Sequence, residues 1–112
     1  MTVGGWLESR TPVPPAALAA RVKLAIGARW AADVAQTHVV CEAAAEELLH
    51  GLLAAHETGR ESALELLAAD ALVTYAFEFS AAAGGDLDAE AAGAMRRIAA
   101  LGARFAAPTA AE

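Results

Sequence analysis

Cysteine, aromatic residues and basic residues are all scarce in this sequence of 112 residues. A single cysteine excludes a disulfide within the chain and is typical of the reducing cytosol, so we expect a cytoplasmic protein. Eight lysines and arginines stand against 14 aspartates and glutamates, which gives a net charge of −6. Because phosphate contacts need clustered positive charge, this balance argues against a nucleic-acid-binding role.

Long apolar runs are also missing. No stretch reaches the roughly 18 residues that cross a bilayer, and the first residues lack the basic and long apolar regions of a secretory signal. Alanine is abundant instead, with 33 of the 112 residues, and it is the strongest helix former. No segment alternates as a half-buried strand does. The sequence therefore predicts an all-α fold, a small bundle of about four helices that is completed by dimerisation.

Glycine and proline mark the predicted boundaries of the helices. The pair Pro14–Pro15 suits the first turn of a helix, and the pair Gly84–Gly85 suits a helix end. Asp86 is then a predicted N-cap. Thr58 and Glu61 match a capping box, in which each side chain accepts a hydrogen bond from the backbone amide of the other residue.

The predicted domain organisation follows from these boundaries. We expect an irregular N-terminal arm whose Trp6 and Leu7 pack back onto a single helical bundle. At Gly27 the chain either ends its first helix or continues through it, since an interior glycine costs about 1 kcal/mol against alanine. The expected segments are an arm over 1–14, a bundle over 15–107 and a disordered tail over 108–112, with helices over 15–26, 29–56, 59–83 and 87–107.

The third predicted helix is apolar on two faces. Leu64, Leu67, Ala71, Leu72, Tyr75 and Phe79 form one face, and Leu66, Val73 and Phe77 form the other. Four helices in one protomer hardly cover such a helix completely, so we expect it to bind a second copy or another protein. The remaining strip, which includes Ala69, Ala76 and Ser80, is small and mildly polar. The predicted interface residues are Leu66, Val73, Tyr75, Phe77 and Phe79.

Three polar or reactive side chains fall within apolar runs. His38 and Cys41 share the apolar stripe of the second predicted helix, so we expect them to fill core positions. Asp70 interrupts the third helix and is expected to pair with Arg96 or Arg97 across a helix interface, because an unpartnered buried carboxylate is costly. The acids expected instead on a solvated face beside the stripe are Glu42, Glu46 and Glu47.

One pair in the second helix has the spacing of metal ligands. Glu47 and His50 form a Glu-x-x-His pair, as in carboxylate-bridged di-metal bundles. The motif occurs once, so a symmetric dimer would have to supply a second copy. The alternative is a solvated face with contacts between glutamate and histidine. We favour that alternative and expect no metal or cofactor.

The middle of the chain resembles a known enzyme family. Residues 47–57 (ELLHGLLAAHE) resemble the helix of trans-isoprenyl diphosphate synthases that leads into their first aspartate-rich motif. In that family the helix reads roughly E-L-[LI]-H, then apolar residues, then H-D-D. Residues 66–78 (LLAADALVTYAFE) resemble the later family helix L-A-G-D-A-L-L-x-x-A-F-E. Residues 95–102 (MRRIAALG) are similar in character to the next helix. The resemblance covers about residues 43–105 and implies helix packing and dimerisation of the family type.

The departures from that family bear on catalysis. Its members clamp the diphosphate of the substrate with magnesium held by two D-D-x-x-D clusters, and here Glu57 stands where the first aspartate would be. Thr58, Gly59 and Arg60 lead directly into the next helix, without the remaining aspartates or the arginine-rich loop. Metal-assisted ionisation of an allylic diphosphate needs several hard oxygen ligands. The resemblance therefore implies a non-catalytic relative, similar to the small subunits of some family enzymes.

Three functions remain as hypotheses. The first is a non-catalytic interaction protein that acts through homo- or hetero-oligomerisation, since no Ser/His/Asp arrangement occurs at a recognisable spacing and no phosphate-binding loop is present. The second is a protein that binds a prenyl chain or another apolar ligand inside the bundle. The third is a metal-binding helical dimer that uses Glu47 and His50.

Overall fold

The described part of the chain forms five α-helices and two short 3₁₀ turns. The computed structural model describes residues 1–56 and 59–105, and these residues contain no β-strand, which confirms the predicted all-α class. None of the helices in these two ranges is long and apolar enough to cross a membrane. Thr58 of the predicted capping box and the predicted tail over 108–112 lie outside the described residues. The helices are α1 (Val3–Glu8), α2 (Ala16–Ile26), α3 (Thr37–Ala55), α4 (Arg60–Ala82) and α5 (Leu87–Arg104), and the 3₁₀ turns are Gly27–Ala31 and Val34–Gln36.

The N-terminal arm was predicted to be irregular, but it contains α1. The Thr2 hydroxyl caps this helix by accepting a hydrogen bond from the Gly5 amide at 3.0 Å. Two backbone hydrogen bonds, from Val3 to Ala32 and from Val34 to Met1, fasten the arm to the loop before α3. A single helical turn is unstable alone, so these long-range contacts explain why local sequence signals did not reveal it. As expected, Trp6 and Leu7 are buried in the core.

The second predicted helix begins eight residues later than expected, at Thr37 rather than Arg29. Gly27 ends α2 in a backbone conformation with φ of +60°, which glycine adopts without strain. The Asp33 carboxylate then accepts a hydrogen bond from the Ala35 amide and caps the second 3₁₀ turn. The first predicted helix therefore ends at Gly27 and does not continue through it, and two 3₁₀ turns follow.

The core lies between α3 and α4, which pack through small side chains. Cys41, Ala44 and Ala45 of α3 and Ala68, Ala69, Leu72 and Ala76 of α4 are almost completely buried. The strip of α4 that we predicted to be the least apolar is therefore its buried face, because small side chains let two helix axes approach closely. The larger Leu66 and Leu67 lie on the outside, each 56% exposed.

The last helix, α5, is the least embedded of the long helices. Gly84, with φ of +77°, follows the end of α4, and the Asp86 carboxylate caps α5 through the Ala89 amide, both as predicted. The buried residues of α5 are Gly93 and Ala94. The helical spacing of its apolar residues predicts an inner face that includes Ala94, Met95 and Ile98, and this is wrong in part, since Met95 is 67% exposed.

Candidate functional site

Among the described residues, α5 borders two concave surfaces, one between α3 and α5 and the other among α3, α4 and α5. The first, which we call the polar cleft, measures about 510 Å³. The second, the apolar groove, measures about 550 Å³ and lies between the other halves of the same helices. Residues that define the polar cleft are His38, Glu42, Glu46, Glu90 and Arg97, and those that define the apolar groove are Leu49, Leu52, Leu53, Leu66, Ile98 and Leu101.

His38 joins three helices at the base of the polar cleft. Its Nε2 atom lies 2.7 Å from a carboxylate oxygen of Glu42, one turn later on α3. Its Nδ1 atom lies 2.7 Å from the Ser80 hydroxyl and 3.0 Å from the Ala76 carbonyl oxygen, both on α4. The Glu90 carboxylate of α5 lies 3.9 Å from the same nitrogen. His38 is therefore a mostly buried polar tie, which agrees with its predicted core position.

Glu42 was predicted to lie on a solvated face, but it is only 7% exposed. Arg97 of α5 reaches it and forms an ion pair with one of its oxygens, and the Arg97 Nε also donates to Glu46 at 3.2 Å. Burial, together with the charge of Glu47, raises the pKa of the Glu46 carboxyl. A buried carboxylate needs a cation or hydrogen-bond donors, and Arg97 supplies them from across the helix interface.

Asp70 does not form the predicted tie to Arg96 or Arg97. It lies on the exposed side of α4, where the Thr74 hydroxyl donates to its backbone carbonyl at 3.0 Å. The predicted pairing of Asp70 is therefore wrong, and the acids that pair with Arg97 of α5 are Glu42 and Glu46 of α3. The one-turn spacing of the acids along α3 did not show which of them would face α5.

Ser80, His38 and Glu42 form a line of hydroxyl, imidazole and carboxylate. The sequence predicted no such arrangement, because the serine is 42 residues from the histidine and only the fold brings them together. A nucleophilic serine must reach a substrate carbonyl. Here Ser80 is 4% exposed, and the nitrogen that faces it also faces the Ala76 carbonyl. The line supports packing between α3 and α4 better than acyl transfer.

The predicted interface residues do not share one surface. Tyr75 and Phe79 pack edge to face against Trp6 of α1, with ring centroids 6.5 and 5.3 Å apart. Phe77 packs in the same way against His38 at 6.0 Å, and Val73 is half-buried against the core. Of the five residues, Leu66 alone is strongly exposed, and it forms one wall of the apolar groove.

The two candidate metal ligands have separate partners. The Glu47 carboxylate accepts two hydrogen bonds from Arg29, at 2.9 and 3.2 Å. The His50 ring packs against Phe105 at the end of α5, with centroids 5.2 Å apart. Among the described residues, no group of three or more histidines, cysteines, aspartates and glutamates is placed to share an ion. The Glu47 side chain is 62% exposed in its pair with Arg29, whereas His50 packs against the end of α5.

The apolar groove was not predicted as a unit, although the sequence contained part of its signal. Leu52 and Ile98 both lie on predicted apolar stripes. Their common location depends on α5 running beside the second half of α3, which no local pattern shows. None of the described residues that line the groove is charged, so its chemistry suits an apolar side chain or ligand.

Comparison of the chain with protein-family models, with curated proteins and with solved structures gives no significant match.

Proposed function

We propose that this chain is a non-catalytic, all-helical interaction protein of the cytoplasm that functions through homo- or hetero-oligomerisation. The observation that carries the proposal is the open apolar groove between α4 and α5, with α3 as its floor. Leu66 on its rim is 56% exposed. Exposed apolar patches with a polar surrounding are typical of protein interfaces.

The extent of the surface also supports association. The chain exposes 6840 Å², whereas a folded monomer of its mass exposes roughly 5,800 Å². Its radius of gyration of 15.0 Å exceeds the roughly 13 Å of a compact chain of this length. A molecule with excess surface and an unfilled apolar groove gains stability when a partner covers that groove.

The resemblance to trans-isoprenyl diphosphate synthases gives the proposal a more specific form. The segments that carry it, 47–57 and 66–78, fall largely on α3 and α4, the two helices that form the core. The polar side chains near them serve as ion pairs and packing contacts. We therefore propose a small-subunit-like relative of such synthases, one that contributes a helical surface and no catalytic groups.

Light scattering over a dilution series tests the proposal. We expect a mass above the 11.4 kDa of one chain at micromolar concentration. Leu66→Glu should lower that mass, because it places a charge on the rim of the groove. Leu24→Glu is the matched control, since Leu24 is 73% exposed on α2, away from the groove. A mass of 11.4 kDa at every concentration, with and without a co-expressed synthase, would refute the proposal.

A second candidate function is the binding of an apolar chain in the same groove. Its volume of about 550 Å³ lies within the usual range of ligand sites, roughly 300–1,000 Å³. A calorimetric titration with the C15 alcohol farnesol should then show saturable binding of one molecule per chain. Leu53→Glu should abolish this binding. A linear, unsaturable partition signal would contradict the candidate.

A further inference from the structure

His38 joins α3, α4 and α5 at the base of the polar cleft, and both of its ring nitrogens face hydrogen-bond acceptors. Nε2 lies 2.7 Å from a Glu42 oxygen of α3. Nδ1 lies 3.0 Å from the Ala76 carbonyl oxygen of α4 and 3.9 Å from a Glu90 oxygen of α5. Neutral imidazole has a single N–H group, whereas imidazolium has two. Only the protonated ring therefore donates a hydrogen bond on each side.

The Ser80 hydroxyl of α4 also lies near Nδ1, at 2.7 Å. A hydroxyl either donates or accepts. Beside a neutral ring it would donate to Nδ1, and the Ala76 and Glu90 oxygens would then face that nitrogen without a proton between them. Beside a protonated ring it accepts or turns aside, and each neighbouring oxygen faces an N–H group. The surroundings of the ring therefore favour imidazolium.

Glu90 supplies an independent reason for a positive charge on His38. One oxygen of this carboxylate is buried, and none of the described residues gives it a hydrogen bond. Glu42 and Glu46 share Arg97 as their cation. For Glu90, the described residues offer His38 alone as a cationic partner within 4 Å. Because a buried carboxylate is costly without an opposite charge, an imidazolium at His38 balances Glu90.

These contacts matter for α5 because the helix has few buried residues. Gly93 and Ala94 are buried, and they lie between Glu90 and Arg97, within about one turn of each. One charged contact therefore stands on either side of the buried contact. Arginine keeps its charge throughout the physiological range, whereas a histidine can lose its charge within that range.

We propose that His38 is a proton-dependent latch for the first half of α5 (87–95). In its protonated form it links Glu42 to Glu90 and holds this half of the helix against α3 and α4. Loss of the proton leaves Glu90 without its counter-charge and loosens the contact, while Arg97 still holds the middle of the helix.

The sign of the pH dependence follows from the groups around the ring. The ionisable side chains that line the same cleft are Glu42 and Glu46 of α3 and Glu90, Arg96 and Arg97 of α5. From α4 the ring meets the Ser80 hydroxyl, the Ala76 carbonyl and the Phe77 ring. The latch stabilises the fold while His38 is protonated, and this contribution disappears as the pH rises through the titration of that histidine.

Nuclear magnetic resonance of the wild-type chain with isotope-labelled histidine tests the charge directly. At pH 6 we expect both ring nitrogens of His38 to be protonated, and we expect one of them to lose its proton as the pH is raised to 8.5. Amide exchange protection at Ala94, corrected for intrinsic rates, should fall about fivefold over the same range. A neutral ring at pH 6, with Ser80 as the donor to Nδ1, would overturn the proposal, and so would protection that does not change with pH.

His38→Gln and His50→Gln form a matched pair of variants. Both residues lie on α3, but His50 contacts α5 through ring packing against Phe105. The fall in Ala94 protection should persist in His50→Gln and should shrink to less than about twofold in His38→Gln. The same fall in both variants would assign the effect to another group and refute the latch.

Glu90→Gln provides a second variant that leaves His38 and its contact with Glu42 in place. It removes the charge on the α5 side, so the fall in Ala94 protection should again shrink to less than about twofold. An undiminished fall would contradict the role of Glu90. The inference goes beyond the proposed oligomerisation, and its test needs no partner.

Discussion

At the residue scale, the Glu42 carboxylate shows how an ionised group is kept in a nearly closed site. It is held between the imidazole of His38 and the guanidinium of Arg97, which come from two different helices. Desolvation of a lone carboxylate would exceed the free energy that its packing contributes, and it is tolerated here because both partners are present. The stability of the α5 contact is therefore linked to the charge of one residue on α3.

We predict that Arg97→Ala destabilises the chain through the charge that it leaves behind. The expected loss is about 1–3 kcal/mol, less than for a fully buried pair, because Arg97 itself is partly exposed. Adding Glu42→Gln should recover most of that loss, since the amide needs no counter-charge. Urea unfolding measures both variants. Arg96→Ala, at the neighbouring exposed position, should change stability by less than about 0.5 kcal/mol, and an equal effect there would contradict the argument.

The second residue-scale prediction concerns Cys41. Burial in the core raises the pKa of its thiol to about 12, with only a partial offset from the charge of Arg29. The reactive thiolate is then almost absent at pH 8. We expect no measurable reaction with Ellman's reagent over an hour in native buffer and complete reaction in 6 M guanidinium. Fast native labelling would show that the contact between α3 and α4 opens readily.

At the element scale, the ends of α4 and the starts of α2 and α5 were predictable, whereas α1, the start of α3 and the buried faces were not. Pro15, Gly84 and Asp86 act within one turn of their own position, so the sequence carries their signal locally. We predicted the wrong face of α4 to meet α3, because we expected the larger apolar side chains to be the buried ones. In a chain so rich in alanine, the closest helix contact uses mainly small residues around Leu72, and Leu66 and Leu67 are left outside. Only the partner helix determines which of these outcomes occurs.

Glycine substitutions should separate a close helix contact from an open one. A Cβ atom on Gly4 of α1 would lie 2.0 Å from the Trp30 indole nitrogen, whereas one on Gly51 of α3 would meet nothing within 4 Å. Gly4→Ala should therefore cost about 1–3 kcal/mol by overpacking. Gly51→Ala should stabilise the chain by up to about 1 kcal/mol, as alanine does within a helix. Thermal unfolding with opposite shifts is the expected result, and shifts of the same sign would contradict it.

The ion pair that joins α2 to α4 predicts a specific response to acid. Arg21 donates two hydrogen bonds to Glu65, one of them at 2.7 Å, and these lower the pKa of the Glu65 carboxyl below its ordinary value of 4.5. A carboxyl whose pKa is lower in the folded state stabilises the fold above its unfolded pKa, and this contribution disappears as the pH falls through the folded pKa.

Glu65→Gln should therefore be less stable than the wild type at pH 7, by up to about 1 kcal/mol, and the difference should shrink below pH 4.5. Urea unfolding at pH 7 and at pH 3.5 measures this change. Arg21→Met removes the same pair from the other side and should show the same convergence. A difference that is constant across this range would assign the effect to packing.

At the scale of the whole molecule, the position of α5 determines both candidate surfaces. Its sequence predicts a helix, but not that Arg97 of this helix reaches the acids of α3 or that an open groove separates its second half from α4. The polar cleft and the apolar groove both follow from that placement. They bring together residues from the middle and last thirds of the described chain, so neither could be found from spacing along one helix.

The resemblance to trans-isoprenyl diphosphate synthases makes a final prediction about the whole molecule. Catalysis of that type needs several carboxylates around magnesium to ionise the allylic diphosphate. In the described part of this chain, Glu42, Glu46, Glu47 and Glu65 are engaged by arginines, and the sequence has no D-D-x-x-D cluster. We therefore expect the purified chain to condense no isopentenyl diphosphate with farnesyl diphosphate at any magnesium concentration, while an authentic synthase is active in the same assay. Radiolabelled product above the level of a heat-killed sample would contradict this prediction.

If the small-subunit relationship holds, adding the chain to a partner synthase should instead change the length or yield of that enzyme's product, and Leu66→Glu should remove the effect because it disrupts the groove.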